Sequence, residues 1–599
     1  MAVGRRILSQ RGTIVLLLTI IASLWVWKVT AKSRRNYTAV PKSKIFQQTP
    51  HLLEVQAFES KEEIKALIED AVRNALKKDT DIGKAQVLPL PPLPIQPAAP
   101  TLEELETNID LMQARFLDFL NGEEGQTEKN ELFGGSLSEL DGQDFDIIGT
   151  WKHVHQYAIY VKSLDYNKTD FLQLGRRVRA NLIAYSIFYD KPSLIPVLST
   201  PEMTISAFRI QLSSIINECT ALLYPWLQPT FSSIYAMKKK FTRDAATNPS
   251  ENEAGLILCT GKWHFEMAVH AITTFRTVLN CTLPIEIHYG GLTDLTPQML
   301  TAFATIPGVR TVNVLEHFPD ETKHWGGWSI KPFAILASRF RRVAFIDADA
   351  LFFQDPRVLF EQSQIFRHRG ALFYHDRSLG RDDGVPWFKG INPVWTQYAN
   401  GLRYMTRRSH HEQESGVVVV DKGRTGVLHA LLMVCKLNSK IERDGMTYQH
   451  MHGDKETYWI SFDMARVPYM FTPSYGGTVG YKNEKGKICG GLFHTDEFLE
   501  PLWWNGGVIA NKHASKDNTF MEFEYAAFDT DGDKIEWDWE TATTPFCLGP
   551  RYPKFEIIEL SNKQKDMGAK FVNLYKDIKS SGGDTPWIDY FKRVYNVDL

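Results

Sequence analysis

Residues 341–356 read Arg341-Arg342-Val343-Ala344-Phe345-Ile346-Asp347-Ala348-Asp349-Ala350-Leu351-Phe352-Phe353-Gln354-Asp355-Pro356. Four apolar residues run straight into two carboxylates spaced two apart. A short apolar run of this kind predicts a buried strand. In an open α/β sheet, ligands bind beyond the carboxyl ends of the strands. Asp347 and Asp349 are therefore expected to project into a crevice. Oxygen ligands of this type suit Mg²⁺ or Mn²⁺, which also bind diphosphate oxygens. A D-x-D spacing alone arises often by chance; its placement at a strand end is what separates it from a solvated turn.

Outward from this stretch, residues 255–259, 283–289 and 311–315 predict three further strands. Residues 263–279, 297–305 and 329–340 predict helices, the last with Ser329 as N-cap. Strands alternating with helices at this spacing imply a mixed, mostly parallel α/β sheet. A strand at 417–420 follows Glu414-Ser415-Gly416, and a helix at 457–464 opens from a polar loop carrying Asp454 and Glu456. Upstream, about 150–240 reads mostly helical.

The chain has 599 residues, 43% hydrophobic and 23% charged, with a formal net charge of −2. That length implies two or three units at about 100–200 residues each. With no basic stripe, nucleic acid is not an expected partner. Cys219, Cys259, Cys281, Cys435, Cys489 and Cys547 form no CxxC pair, which argues against a zinc ribbon, and their even number permits disulfides in an oxidising compartment. No pairing is readable from spacing. Residues 12–27 are uncharged, with Arg5, Arg6 and Arg11 before and Lys28, Lys32, Arg34 and Arg35 after. This predicts a signal anchor rather than a cleaved signal peptide, because no small-residue cleavage site follows cleanly. The expected layout is type II: cytosolic tail 1–12, transmembrane segment 13–31, stem 32–100 with a proline-rich spacer at 89–100, helical lumenal region 101–252, catalytic domain 253–510 and C-terminal extension 511–599. Sequons at Asn36, Asn167 and Asn280 are candidate glycosylation sites on that lumenal side.

Five blocks carry a resemblance. They are WSIKPF (328–333), FIDADALFFQDP (345–356), QESGVVVVDK (413–422), HGDKETYW (452–459) and GGLFH (490–494), preceded by the stretch 255–291. In this order they resemble the fungal Golgi α-mannosyltransferases of glycosyltransferase family 71, over about 255–510. The resemblance implies a GT-A fold, GDP-mannose as donor, Mn²⁺ as metal, retention of anomeric configuration, a mannosylated glycan acceptor and a Golgi membrane location. The wording of WSIK and DAD looks closer to the α-1,3 branch than to the α-1,2 branch. Homo- or hetero-oligomers are compatible with it.

Roles follow for particular residues. Lys331, early in its helix, is placed to meet phosphate, against the alternative of a solvated lysine. Ser415 and Gly416 permit close backbone approach to a bound sugar, and Glu414 is placed to bond its hydroxyls; the alternative is an edge-strand turn. By position, Asp454 and Glu456 resemble the acidic loop facing donor and acceptor in related folds, with Asp454 favoured, against a plain N-cap carboxylate. His494 is the candidate third metal ligand beside Asp347 and Asp349, against a merely packed histidine. His450 and His452 form a rival H-x-H pair. Trp503-Trp504-Asn505 suits either sugar stacking or core packing. Asp529–Asp533 lacks the EF-hand pattern, and His410-His411-Glu412 lacks H-E-x-x-H spacing. A haloacid-dehalogenase-type phosphohydrolase also places D-x-D after a strand, but here Leu351 stands where that family has Thr or Val. A noncatalytic lumenal lectin or complex subunit is the non-enzyme alternative. Front-face attack and a covalent glycosyl-enzyme both remain open, because spacing places no carboxylate beneath the anomeric carbon.

Overall fold

The computed structural model describes residues 168–595, apart from 194, 197–203, 228–229, 319–326, 379–383, 394, 511–518, 531–537, 540–545, 550–554 and 582–586. The expected membrane segment 13–31, the stem 32–100, Asn36 and Asn167 lie outside the described residues. Among the described residues no helix is long and apolar enough to cross a membrane. Asn280 is described, exposed in a turn at φ 53°.

The first sheet has the order β3-β2-β1-β4-β7-β6. Its strands are β1 (Ala254–Cys259), β2 (Ile285–Tyr289), β3 (Val309–Asn313), β4 (Arg342–Ile346), β6 (Ala371–His375) and β7 (Gln413–Asp421). The first four pair in parallel, and β7 runs antiparallel to both β4 and β6. The mixed, mostly parallel sheet expected from the sequence is thus present. Side chains alternate across it as strand geometry requires. Ile257, Val343, Phe345, Val418 and Val420 face one core, while Leu256, Leu258, Ala344, Ile346, Val417 and Val419 face the other.

Two local expectations change. The third strand ends two residues earlier than predicted, because the Asn313 side chain accepts from Leu315 N (3.1 Å) and starts a helical turn, Val314–His317. Ser329 is not an N-cap. It already has helical dihedrals at the end of a tight turn, Gly327–Ser329, and its hydroxyl accepts from Arg443 Nη1 at 2.8 Å. The helix that follows, α1 (Ile330–Ala337), is held at its other end. Lys422 Nζ donates to the carbonyls of Ile335 (3.0 Å) and Ser338 (2.5 Å), and burial pushes its pKa well below the ordinary lysine value.

A second sheet runs β12-β13-β9-β8-β11-β14. It includes β8 (Gly477–Lys482), β9 (Ile488–Thr495), β11 (Tyr525–Asp529), β12 (Asp538–Trp539), β13 (Phe546–Leu548) and β14 (Phe555–Glu559). Strand β10 (Pro501–Asn505) pairs antiparallel with β9 and with β5 (Ala350–Phe352), which carries the second sheet to the residues just past Asp349. A disulfide joins Cys489 on β9 to Cys547 directly opposite on β13. Helices Ile205–Leu223 and Ile234–Thr247 share the first core. Helices Asn562–Ser581 and Trp587–Tyr595 share the second with Phe265–Thr273. The boundaries expected at 252 and 510 therefore cut across continuous packing, and the second boundary cuts through a single sheet.

Glu286 lies fully buried at the centre of β2, 3.2 Å from His288 Nε2 and 3.5 Å from Arg310 and Arg339 Nε. Burial works to raise its carboxyl, but the His288 hydrogen bond and the Arg310 charge outweigh it and hold it down at about 2. The unfolded carboxyl titrates near ~4.3. Between these values the unfolded state binds the extra proton, so Glu286 contributes fully above about pH 4.5 and its contribution is lost as pH falls toward 2. Urea midpoints of wild type and Glu286→Gln measured from pH 7 to 3 are expected to converge on acidification; a constant gap would contradict this role.

Candidate active site

Strand β4 ends at Ile346, and its pairing with β7 continues one residue further through Asp347 N to Gly416 O at 2.8 Å. Ala350 N then closes a turn onto Asp347 O (3.0 Å), and the Asp349 carbonyl accepts from Gly506 N (3.1 Å) and Gly507 N (2.8 Å). The D-x-D turn is thus clamped by β7 on one side and by the end of β10 on the other. Both aspartates remain partly exposed there, as strand-end carboxylates facing a crevice should.

Lys331 reaches this turn from the first residues of α1. Its ammonium lies 2.8 and 3.0 Å from the two carboxylate oxygens of Asp347, and 3.5 Å from both Ser415 O and Ser415 Oγ. Its charge is therefore committed to Asp347, and the solvated-lysine alternative fails. Burial pushes Asp347 up to about 6; Lys331 pulls it down, and Asp349 adds to the rise. Ser415 Oγ donates to Asp454 Oδ1 at 3.3 Å, while Asp454 Oδ2 is buried without a hydrogen-bond partner. Burial raises the Asp454 carboxyl, against the nearby Lys331 charge. Asp454 is not an N-cap, since it is its backbone carbonyl that meets Thr457.

A second cation organises the other carboxylates. Lys455 Nζ pairs with Asp376 Oδ2 (2.7 Å) and Glu414 Oε2 (2.9 Å). Glu414 Oε1 accepts from Gly416 N (2.9 Å) and Asn505 Nδ2 (3.0 Å). Burial opposes ionisation of Glu414, but Lys455 outweighs it and the carboxyl is held below its ordinary value. Both Glu414 oxygens thus accept from protein donors. Gly416 also differs from expectation. A Cβ there would approach Asn505 Nδ2 to 2.8 Å and Trp503 to 3.1 Å, so this glycine makes room for β10.

Glu456 points inward. Its oxygens accept from Glu412 N (2.9 Å) and from the Trp459 indole (2.5 Å), and burial pushes its carboxyl up to about 8. Its place is in the packing at the start of β7, apart from the D-x-D turn. His494 sits opposite Trp503, which pairs with Phe352, so it lies two strands away from β5 and further along than Asp349. Its ring is fully buried, stacked on Trp503 at 4.1 Å, and burial pushes it down to about 3. Both its ring nitrogens are buried without a hydrogen-bond partner among the described residues, and Trp503 and Trp504 are core. Among the described residues no three His, Cys, Asp or Glu side chains converge as a metal site. What remains is the Asp347–Asp349 pair, a donor set suited to a cation that completes its shell with water and substrate phosphate.

Lys455, Asp376 and Asn505 had no role in the sequence reading. Lys455 was visible only as a lysine between two acids, and its partners lie 79 and 41 residues away. Trp263, 83% exposed just beyond β1, stands at the same carboxyl edge of the parallel strands.

Residues 253–496 match the family described as "Mannosyltransferase putative". Over those residues the chain is similar to this family. The match contains the D-x-D turn, Lys331, Asp454 and Lys455. Curated relatives include "Putative alpha-1,3-mannosyltransferase MNN14" of Candida albicans, 24% identical over 53% of this chain and 54% of the relative. "Probable alpha-1,3-mannosyltransferase MNT4" of Saccharomyces cerevisiae is 23% identical over 55% and 66%. "Alpha-1,3-mannosyltransferase MNN1" of the same yeast is 24% identical over 46% and 43%. The alignments thus span about half the length of these relatives. Among solved structures, the mannosyltransferase Ktr4p of S. cerevisiae overlaps at a TM-score of 0.24 and 10% identity, over 42% of this chain and 82% of that one, too weakly to bear on the fold.

Removing Lys455 would leave buried Glu414 without an ion-pair partner among the described residues and Asp376 with Arg377 alone, at 3.7 Å. Lys455→Met is expected to cost roughly 3–5 kcal/mol, read from urea unfolding. A loss under about 1 kcal/mol would show that the pairing does not hold the site.

Proposed function

We propose that this protein is a retaining α-1,3-mannosyltransferase that moves mannose from GDP-mannose to a mannosylated glycan acceptor. The observation that carries the reading is the partly exposed Asp347–Asp349 turn at the carboxyl edge of the sheet, with the Lys331 ammonium against it. The family match and the names of the relatives supply the sugar and the linkage.

In this reading the fold is GT-A. Asp347 and Asp349 hold Mn²⁺, which when bound offsets the charge that develops on the diphosphate leaving group. Lys331 keeps Asp347 in place and brings a second positive charge to the same side, where anionic charge builds. Trp263 offers the nucleobase an aromatic face. Asp454, with one buried oxygen unspent, lies behind Ser415 on the opposite side of Lys331. There it accepts a hydroxyl proton or stabilises cationic character at the sugar. Glu414, Glu456 and Lys455 position these groups without touching substrate. The disulfide between Cys489 and Cys547 supports an oxidising, lumenal compartment. We place the protein in the Golgi membrane as a type II chain anchored by residues 13–31, with Asn280 exposed for glycosylation.

The test uses the full chain in detergent with GDP-mannose, Mn²⁺ and α-mannoside acceptors, scoring GDP release and product linkage. Wild type is expected to form an α-1,3 product that EDTA abolishes, and Asp347→Ala/Asp349→Ala to fall by roughly 10²-fold or more. A double variant that keeps wild-type turnover, or a folded wild type inert with GDP-mannose, would overturn the reading.

A further inference from the structure

Two histidine pairs without a role in the site described above meet in space. His410 and His411 lie just before β7, and His450 and His452 lie just before Asp454. With Gln449 they line a cavity of about 400 Å³, within the range of ~300–1,000 Å³ usual for small-ligand sites. The rings of His410 and His411 are 5.3 Å apart, and those of His411 and His452 are 6.0 Å apart. Trp387 stacks on His450 at 4.8 Å and fixes that wall.

The cavity adjoins the site described above. His452 is two residues from Asp454, and His411 is three from Glu414. At the rim stands Trp328, 49% exposed and 5.1 Å from His452, three residues before Lys331. Gly453 makes this possible: its φ is +71°, and a Cβ there would come within 2.9 Å of the Trp328 ring.

We propose that this cavity is the acceptor subsite and takes a neutral hexopyranoside, whose hydroxyls the imidazoles bond and whose C–H face lies on Trp328. The proposal rests on the transferase reading. Neutral imidazoles both donate and accept, as sugar hydroxyls do. His411 Nδ1 is buried with no hydrogen-bond partner among the described residues, and so has bonding capacity to offer. Burial pushes His411 down to about 4, against the pull of Asp376 and with Lys455 adding to the fall, so its ring is uncharged at neutral pH. An uncharged ring favours a neutral sugar over a phosphate. Metal binding is disfavoured because no three of these side chains converge on one point among the described residues.

The test combines two readouts on the full chain. Saturation-transfer NMR with methyl α-mannoside reads binding directly, and initial rates with GDP-mannose give the KM of acceptor and of donor. Trp328→Ala and His411→Phe are expected to raise the acceptor KM by roughly tenfold, to weaken the NMR signal, and to leave the donor KM within about twofold. Trp328 is half-exposed, so its variant folds even if His411→Phe does not. Transfer by folded variants with an unchanged acceptor KM would overturn the cavity assignment and leave the transferase standing. A wild type that transfers nothing but binds mannoside through these residues would keep the cavity and remove the transferase. No mannoside signal from wild type would overturn the cavity assignment.

Discussion

The ion pair between Lys331 and Asp347 is the contact on which the site depends. Removing one partner of a buried ion pair leaves an uncompensated charge, so the pair fixes where α1 begins relative to where β4 ends. Lys422 fixes the other end of α1 by bonding its last carbonyls. The helix is thus held by a lysine at each terminus. The sheet supplies the remaining constraint, since Asp347 N bonds Gly416 O and places Ser415 against Lys331.

Around this pair the charges alternate. Lys331 lies among Asp347, Asp454 and Glu414, and Lys455 lies between Glu414 and Asp376. Two cations so arranged hold acidic side chains inside a buried site at modest electrostatic cost. They also divide the carboxylates by task. Glu414 and Asp376 are engaged by protein donors and held ionised, whereas Asp454 keeps one oxygen unspent. Electrostatic preorganisation of this kind is what a reaction that separates charge requires.

Much of this was legible in the sequence where local pattern and tertiary role coincide. The run 343–346 is apolar on both faces because both faces are buried, and the helix at 457–464 starts and ends as predicted. Lys331 and Asp347 meet because a strand end and a helix start come together at one sheet edge. What failed depended on contacts distant in sequence. His494, read as a ligand, is placed by the register of β9 on β10 opposite Trp503, a pairing that sequence spacing could not show. Gly416 read as space for a sugar, but Asn505 fills that space. Glu456 read as catalytic, but the Trp459 indole and the Glu412 amide claim it. The part played by 525–595 was invisible because antiparallel pairing of β11 with β8 leaves no motif.

The most direct test of the central claim is calorimetric titration of GDP-mannose into the full chain with Mn²⁺ present, for wild type, Lys331→Met and Asp349→Asn. The account predicts one Mn²⁺-dependent site in the wild type and a loss of affinity of at least about tenfold in each variant. Binding of GDP-mannose to both variants as tightly as to wild type would show that the nucleotide sugar does not sit at the Lys331–Asp347 edge.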